Sequence, residues 1–81
     1  MQIRLTNVAI QDLTPFRLWR ARRRQDHVDA VVEQTARGWR LEFRLNDRTL
    51  LEWWFDSREA AIEDAHARLA ALQRVGWNAH W

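Results

Sequence analysis

The chain has 81 residues, a formal net charge of +2 and no cysteine. This length gives one domain, residues 1–81, with a small core, and the lack of cysteine excludes disulfides, thiolate metal ligands and a cysteine nucleophile. All 13 basic residues are arginine, so the high pI of 10.9 reflects missing lysines and tyrosines, and the small net charge creates only a modest field for a polyanion.

No segment has the composition of a targeting signal or a membrane span. Residues 1–10 carry a polar side chain at every second or third position, so they lack the apolar centre of a signal peptide. No apolar run approaches the roughly 20 residues that cross a bilayer. We therefore expect a cytoplasmic protein with no membrane partner.

The N-terminal region, residues 1–24, is predicted to be largely extended. Met1–Ile10 has the apolar alternation of a strand, with a slip near its middle. Asp12–Pro15 predicts a turn, because proline restricts the residue before it and lacks a donor for a strand ladder. Phe16–Arg22 is either a second strand or a short helix, since Arg, Leu and Ala are good helix formers.

Residues 27–55 are predicted to form antiparallel strands. His27–Gln34 and the run that begins at Trp39 both alternate, and the connection Thr35–Gly38 places glycine where a positive φ is often needed. Closing this connection as a hairpin gives one register. Its pairs are apolar on one face and oppositely charged on the other: Val32–Leu41, Ala30–Phe43, Glu33–Arg40 and Asp29–Arg44.

The next turn, around Asn46–Arg48, leaves two registers open. A three-residue loop places Glu42 opposite Glu52, which is a repulsive pair. A five-residue loop places Arg44 opposite Glu52, which is an attractive pair. Charge favours the longer loop, and turn length does not decide between the two.

Residues 57–75 are predicted to form the C-terminal helix, which ends before Gly76. Asp56 is the predicted N-cap, with Glu59 reaching back as in a capping box, and Ser57 is the alternative N-cap one residue on. The sheet-facing stripe consists of Ile62, Ala65, Leu69 and Leu72, flanked by Ala61.

The tail, residues 77–81, is too short for an element of its own, but Trp77 can fold back onto the apolar face. Strands followed by one helix predict an α+β fold. In it, an antiparallel sheet of three to five strands packs against the C-terminal helix.

The sequence offers little for catalysis. His27, His66 and His80 lack the spacing of metal ligands, and the only serine, Ser57, has no nucleophile-elbow context. Two glycines cannot build a phosphate-binding loop. We therefore predict no catalytic residue, no cofactor site and no metal site, and a protein that is not an enzyme.

The arginine cluster Arg20–Arg24 beside Trp19 is one candidate binding surface. If this segment is a strand, Trp19 lies on the face opposite Phe16. Arginine beside an aromatic ring binds phosphates and stacks on bases, although a charged edge that only maintains solubility explains the cluster equally simply. The residues that we expect to contact nucleic acid are Trp19, Arg20, Arg22 and Arg24.

The tandem Trp53-Trp54 is the second candidate. Neighbours on a strand face opposite sides, so a core position for Trp53 places Trp54 on the open face of the sheet, near Leu50 and Val31. Exposed apolar patches mark interfaces, and tryptophan is enriched in binding hot spots. We therefore expect a protein partner, or a second copy of the chain, to dock around Trp54.

The segment Leu18–Trp77 resembles small bacterial proteins of unknown function. The resemblance lies in Leu18-Trp19-Arg20, Gly38-Trp39-Arg40-Leu41, Phe55-Asp56-Ser57-Arg58-Glu59-Ala60 and Leu72…Gly76-Trp77. In shape, three strands and a helix also resemble the arm-binding domains of phage integrases and the plant AP2 domain, which lay their sheet in the DNA major groove. That resemblance implies DNA contacts from Arg40, Arg44 and Trp54.

Two functional hypotheses follow. The leading one is a non-catalytic protein-interaction or regulatory module that self-associates around Trp54. The alternative is a nucleic-acid-binding domain that uses the sheet face and the cluster Arg20–Arg24. Because the net charge is low and acidic residues interrupt the open face, we expect its nucleic-acid affinity to be weak.

Overall fold

The computed structural model describes residues 15–80, and these form the predicted α+β fold. One antiparallel sheet of five strands carries a helix on one of its faces. The elements in chain order are β1 (Phe16–Arg23), β2 (Asp26–Thr35), β3 (Gly38–Leu45), β4 (Arg48–Phe55), α1 (Arg58–Arg74) and β5 (Asn78–His80). The strand predicted over Met1–Ile10 and residues 12–14 of the predicted turn lie outside the described residues.

The strand order across the sheet is β4-β3-β2-β1-β5. The first four strands form a meander, and α1 then carries the chain across the sheet to the β1 edge. There β5 pairs antiparallel with β1 through Arg20–Arg22. The expectation that the tail forms no element is therefore wrong for Asn78–His80. These three residues form a strand because they pair with β1, which lies far away in the sequence.

Segment Phe16–Arg23 is a strand and not a helix. Its register shifts between Arg17 and Trp19, so Trp19 faces the helix together with Phe16 instead of opposing it. The predicted position of Trp19 on the polar face is wrong for this reason. Its side chain is only 1% exposed, and its indole Nε1 donates to the carbonyl oxygen of Ala65 at 3.0 Å.

The hairpin of β2 and β3 has the predicted register on both faces. Val32 lies opposite Leu41, and Glu33 lies opposite Arg40. The turn needs glycine at Gly38, where φ is +120° and a Cβ atom would come within 2.7 Å of the Phe55 carbonyl oxygen. This register is therefore fixed by side-chain pairing and by backbone geometry together.

The hairpin of β3 and β4 places Glu42 opposite Glu52, the pairing that charge disfavours. Its turn is Asn46-Asp47, with positive φ at both residues, as a type I′ turn requires. The ladder shifts between the pairs Phe43–Leu51 and Arg44–Thr49, which leaves Leu50 as the extra residue of a bulge. A two-residue turn with a bulge thus replaces both predicted loops.

The helix begins at Arg58, one residue later than predicted. Ser57, the alternative N-cap, is confirmed, because its hydroxyl accepts from the backbone N–H of Ala60 at 3.1 Å, and the prediction of Asp56 as N-cap is wrong. At the other end, Gly76 has a φ of +101°. The backbone N–H of Trp77 donates to the Leu72 carbonyl, which completes a Schellman motif.

The core lies between the sheet and α1. The helix buries two alanines, Ala61 and Ala65, together with Leu69, whereas Ile62 of the predicted stripe is only half-buried. The sheet contributes Trp19, Ala21, Val28, Ala30, Val32, Leu41 and Phe43. Alanines in the stripe bring the helix close to the sheet, and Trp77 packs against the same core as predicted. No helix within residues 15–80 combines the length and apolar character needed to cross a bilayer.

Candidate interaction surface

β4 is the outermost strand at one edge of the sheet. Its inner side pairs with β3, and no described strand pairs with its outer side. β4 has eight residues, and all of them except Phe55 are exposed. Alternate residues of such a strand aim their backbone N–H and C=O groups away from the sheet, where they can pair with another strand. Within residues 15–80, β4 therefore offers an unpaired edge with its own hydrogen-bonding groups.

Large apolar side chains lie along this edge. Leu50, Leu51, Trp53 and Trp54 are 55%, 44%, 38% and 37% exposed. Trp53 lies opposite Leu41 on the helix face, and Trp54 lies opposite Arg40 on the open face. An edge strand with apolar side chains on both faces is the usual signature of a site for strand pairing. The expected exposure of Trp54 is confirmed.

Each exposed indole is stacked beneath an arginine. The Arg68 guanidinium lies 4.1 Å from the centre of the Trp53 ring, and the Arg37 guanidinium lies 4.4 Å from that of Trp54. Arg68 also donates to Asp64 at 2.9 Å, one helical turn before it. Cation–π contacts of this kind favour these positions of the two rings.

An apolar groove lies between β4 and the C-terminal half of α1. Its volume is about 250 Å³, and it is lined by Val28, Phe43, Leu50, Leu51, Arg68, Ala71 and Leu72. The bulge at Leu50 contributes this side chain to the groove. The groove is continuous with the edge of β4, so one partner can contact both.

The open face of the sheet is covered by ion pairs. Arg20 donates to both carboxylate oxygens of Asp29, at 2.6 and 2.9 Å. Arg40 contacts Glu33 at 2.5 Å, Glu52 at 3.2 Å and Glu42 at 3.8 Å, and Arg44 donates to Glu42 at 3.0 Å. The predicted binding residues Arg20, Arg40 and Arg44 therefore already have acidic partners within the chain.

Two carboxylates of this network are buried and ionised. Asp29 and Glu42 are 6% and 4% exposed. The Arg20 hydrogen bonds lower the pKa of Asp29, and the Arg44 and Thr49 hydrogen bonds lower the pKa of Glu42, while burial acts in the opposite direction on both. Both groups are charged at neutral pH, so the open face is close to electrically balanced.

The predicted arginine cluster covers the end of β1 and the first residue of the turn after it, and strand alternation separates its side chains. Arg22 and Arg24 are exposed, and Arg24 has a positive φ of 58° at the turn. Arg23 instead donates to the Val75 carbonyl at 3.1 Å and lies 5.7 Å from the centre of the Trp77 ring. Because Trp19 lies in the core, it does not supply the aromatic ring that the sequence places beside Arg22 and Arg24.

The apolar patch predicted around Trp54 does not include Val31. Val31 is buried on the open face between its paired neighbours Arg17 and Glu42, and Leu50 turns into the groove. The exposed apolar surface therefore runs along β4 and not across the sheet. The signal for it in the sequence is the run Leu50–Phe55, in which only Glu52 is polar.

Three side chains among residues 15–80 are close enough to share a metal ion: His27, Asp29 and Asp47, with ligand atoms within 4.8 Å of one another. Arg20 occupies both oxygens of Asp29, and its positive charge lies where a cation would bind. The ring of His27 contacts Asp47 at 3.3 Å. These contacts explain why the three side chains lie together: Asp29 pairs with Arg20, and Asp47 contacts His27.

Comparisons with protein-family models, with curated proteins and with solved structures find no match to this chain.

Proposed function

We propose that this chain is a non-catalytic protein-interaction module of the bacterial cytoplasm, and that it binds an extended segment of a protein along β4. The observation that carries the proposal is the eight-residue edge of β4, which no strand of the described part of the chain covers and along which Leu50, Leu51, Trp53 and Trp54 are exposed. Backbone hydrogen bonds to a new strand supply affinity, and side-chain contacts on both faces supply specificity.

The opposite edge supports the assignment to β4. β5 has only three residues, and the remainder of β1 carries the irregularity between Arg17 and Trp19. Short strands and bulges protect an edge from pairing. Within the described residues, β4 is thus the longer and more apolar of the two edges.

A selection with displayed random peptides of about twelve residues tests the proposal. We expect enrichment of extended peptides with alternating apolar residues, which bind the wild-type chain and lose affinity for Trp54→Lys. Val75→Lys is the matched control, because Val75 is also an exposed apolar residue but lies beyond the end of α1. Equal binding by both variants, or no enrichment, contradicts the proposal.

The nucleic-acid alternative is favoured by one observation, the exposure of Arg22 and Arg24 at the turn between β1 and β2. The integrase arm-type resemblance adds Arg40, Arg44 and Trp54 on the open face. We rank this alternative second, because Glu33, Glu42 and Glu52 hold Arg40 and Arg44. Freeing these arginines for phosphates requires breaking ion pairs, two of which involve a buried carboxylate.

A further inference from the structure

We propose that the strand which pairs with β4 is β4 of a second copy, antiparallel, about a two-fold axis that passes beside Trp53. This inference rests on the proposed function, because it names the occupant of the same edge. A contact of this kind is isologous: each copy presents the same patch, and the assembly closes as a dimer with a continuous sheet.

The backbone geometry determines which groups are free for this pairing. The two-residue turn is closed by the hydrogen-bonded pair Leu45–Arg48, and such pairs alternate along an antiparallel ladder. Past the bulge, Leu51, Trp53 and Phe55 aim their backbone groups at β3. Glu52 and Trp54 aim theirs outward. An axis beside Trp53 joins Glu52 of one copy to Trp54 of the other by two hydrogen bonds, and its symmetry repeats them.

On the helix face this register pairs apolar side chains, and the Arg68 guanidinium that lies over each Trp53 ring keeps its own acidic partner, Asp64. Trp53 lies opposite Trp53 of the second copy, in a non-hydrogen-bonded pair, where side chains approach most closely. Leu51 lies opposite Phe55 of the second copy on either side of the axis. Aromatic pairs in this position contribute more than their buried area alone. The contact covers apolar surface that the single chain leaves exposed.

The open face of this register brings opposite charges together. Glu52 lies opposite Trp54 of the second copy, whose ring carries the Arg37 guanidinium at 4.4 Å. A shift by two residues in one direction places Glu52 opposite Glu52, which is repulsive. A shift in the other direction places Trp54 opposite Trp54, brings two Arg37 side chains together and shortens the ladder. Charge therefore selects the register centred on Trp53.

The expected dimer is weak and does not grow into a fibre. A net charge of +2 per copy adds little repulsion, but the ladder between Leu51 and Phe55 is short, so the contact falls at the small end of protein interfaces. We expect a dissociation constant on the order of micromolar. Within residues 15–80, the edge that stays open on each copy consists of the three-residue β5 and the part of β1 that carries the irregularity between Arg17 and Trp19, and short or irregular edges recruit further strands poorly.

Sedimentation equilibrium over a concentration series tests the dimer and its charge pattern. Trp54→Glu places an acid opposite Glu52, and we expect it to weaken the dimer at least tenfold. Adding Glu52→Arg to Trp54→Glu restores an attractive pair, and we expect it to recover most of that loss. Val75→Glu, the control with the same added charge, is expected to leave the dimer unchanged, and circular dichroism melting checks that each variant folds.

Disulfide trapping tests the register, since the chain has no cysteine of its own. We expect Trp53→Cys alone to form a cross-linked dimer, because directly opposed Cα atoms lie within disulfide range. Glu52→Cys and Trp54→Cys are expected to cross-link only when mixed, because each lies about 7–8 Å or more from its own copy across the axis. Cross-linking of either one alone, without that of the mixture, overturns the register.

The two proposals fail in distinguishable ways. A wild-type chain that stays monomeric at several hundred micromolar overturns the dimer. If selected peptides still bind that monomer and lose affinity for Trp54→Lys, the interaction module stands with another occupant. A monomer that also enriches no peptide overturns both proposals.

Discussion

At the scale of single residues, Trp19 shows how one polar atom fixes the position of a large apolar side chain. Its indole fills the space between the sheet and α1, and its ring centre lies 6.0 Å from that of Phe43. The N–H group would be costly to bury without a partner, and the Ala65 carbonyl supplies one. This hydrogen bond ties the middle of the helix to β1.

Replacing Trp19 by phenylalanine should therefore lower the free energy of unfolding by about 2 kcal/mol, through the lost hydrogen bond and the void left by the smaller ring. Urea denaturation followed by circular dichroism measures this change. Trp53→Phe, at a position that is 38% exposed, is the matched control and should cost less. Equal losses for the two variants would contradict the role of the buried hydrogen bond.

The N-cap gives a second residue-scale prediction. Ser57→Ala removes the hydroxyl that accepts from Ala60 N–H, and we expect a loss of about 1 kcal/mol of stability. Asp56→Ala changes the neighbouring residue without touching this bond, and should cost less than half as much. Thermal melting of both variants separates the two candidate caps. A larger effect at Asp56 would restore the capping box that the sequence suggests.

At the scale of elements, the two hairpins show what the sequence predicts and where it fails. In β2 and β3 the hydrophobic pattern and the charge pattern support one register, and that register is correct. In β3 and β4 charge favours a pairing that does not occur. The pair Glu42 and Glu52 is tolerated because Arg40 contacts both carboxylates. A prediction that considers only directly opposed residues does not include diagonal contacts of this kind.

The two irregularities of the sheet are the other feature that the sequence does not predict. A one-residue shift in β1 moves Trp19 from the predicted polar face into the core, and a bulge at Leu50 moves that side chain into the groove. Bulges depend on local backbone geometry and carry no strong side-chain signature. The tandem Trp53-Trp54 was sufficient to predict an exposed tryptophan, but the edge position of β4 depends on strand order.

The ion pairs of the open face make stability depend on pH. Arg20 lowers the pKa of Asp29 from 3.8, and Arg44 and Thr49 lower that of Glu42 from 4.5, so on acidification the unfolded chain takes up these protons first. Their contribution is complete above about pH 5 and is lost as the pH falls through the folded-state values. We expect the melting temperature to be flat above pH 5 and to fall steadily below about pH 4.5.

Asp29→Asn tests this assignment. At pH 7 it should lower the melting temperature, because the two hydrogen bonds from Arg20 lose their charged acceptor, and the melting temperature should then fall less steeply in acid. Asp64→Asn is the control, since its i,i+4 pair with Arg68 is more exposed and should be worth about 0.5 kcal/mol. An unchanged acid slope in Asp29→Asn would assign the pH dependence to other carboxylates.

At the scale of the whole molecule, the distribution of charge decides between the two functional hypotheses. Arg20, Arg40 and Arg44 on the sheet face are paired within the chain, while the exposed Arg22 and Arg24 lie at the end of β1 and in the turn that follows it, away from β4. A basic groove able to follow a nucleic-acid backbone would need several such residues in a row. The molecule therefore presents an apolar edge on one side and a small basic turn on the other.

Nucleic-acid titrations measure the affinity that Arg22 and Arg24 provide. Fluorescence anisotropy with random duplex DNA should give a dissociation constant on the order of 10⁻⁴–10⁻⁶ M that weakens with salt. If Arg22 and Arg24 each neutralise one phosphate, the slope of log affinity against log salt should be about −1.8. Arg22→Glu with Arg24→Glu should abolish the binding.

The control is the pair of changes Arg48→Glu and Arg74→Glu, which alters the net charge equally at exposed positions outside the turn. Binding that survives in the control but not in the Arg22 and Arg24 variant places the contact at the turn. Equal loss in both would mean that net charge alone attracts the polyanion. A sequence-specific complex tighter than about 10⁻⁸ M would reverse our ranking, because two exposed arginines cannot supply it. The sheet face would then have to exchange its carboxylates for DNA, with Arg40, Arg44 and Trp54 as the first residues to substitute.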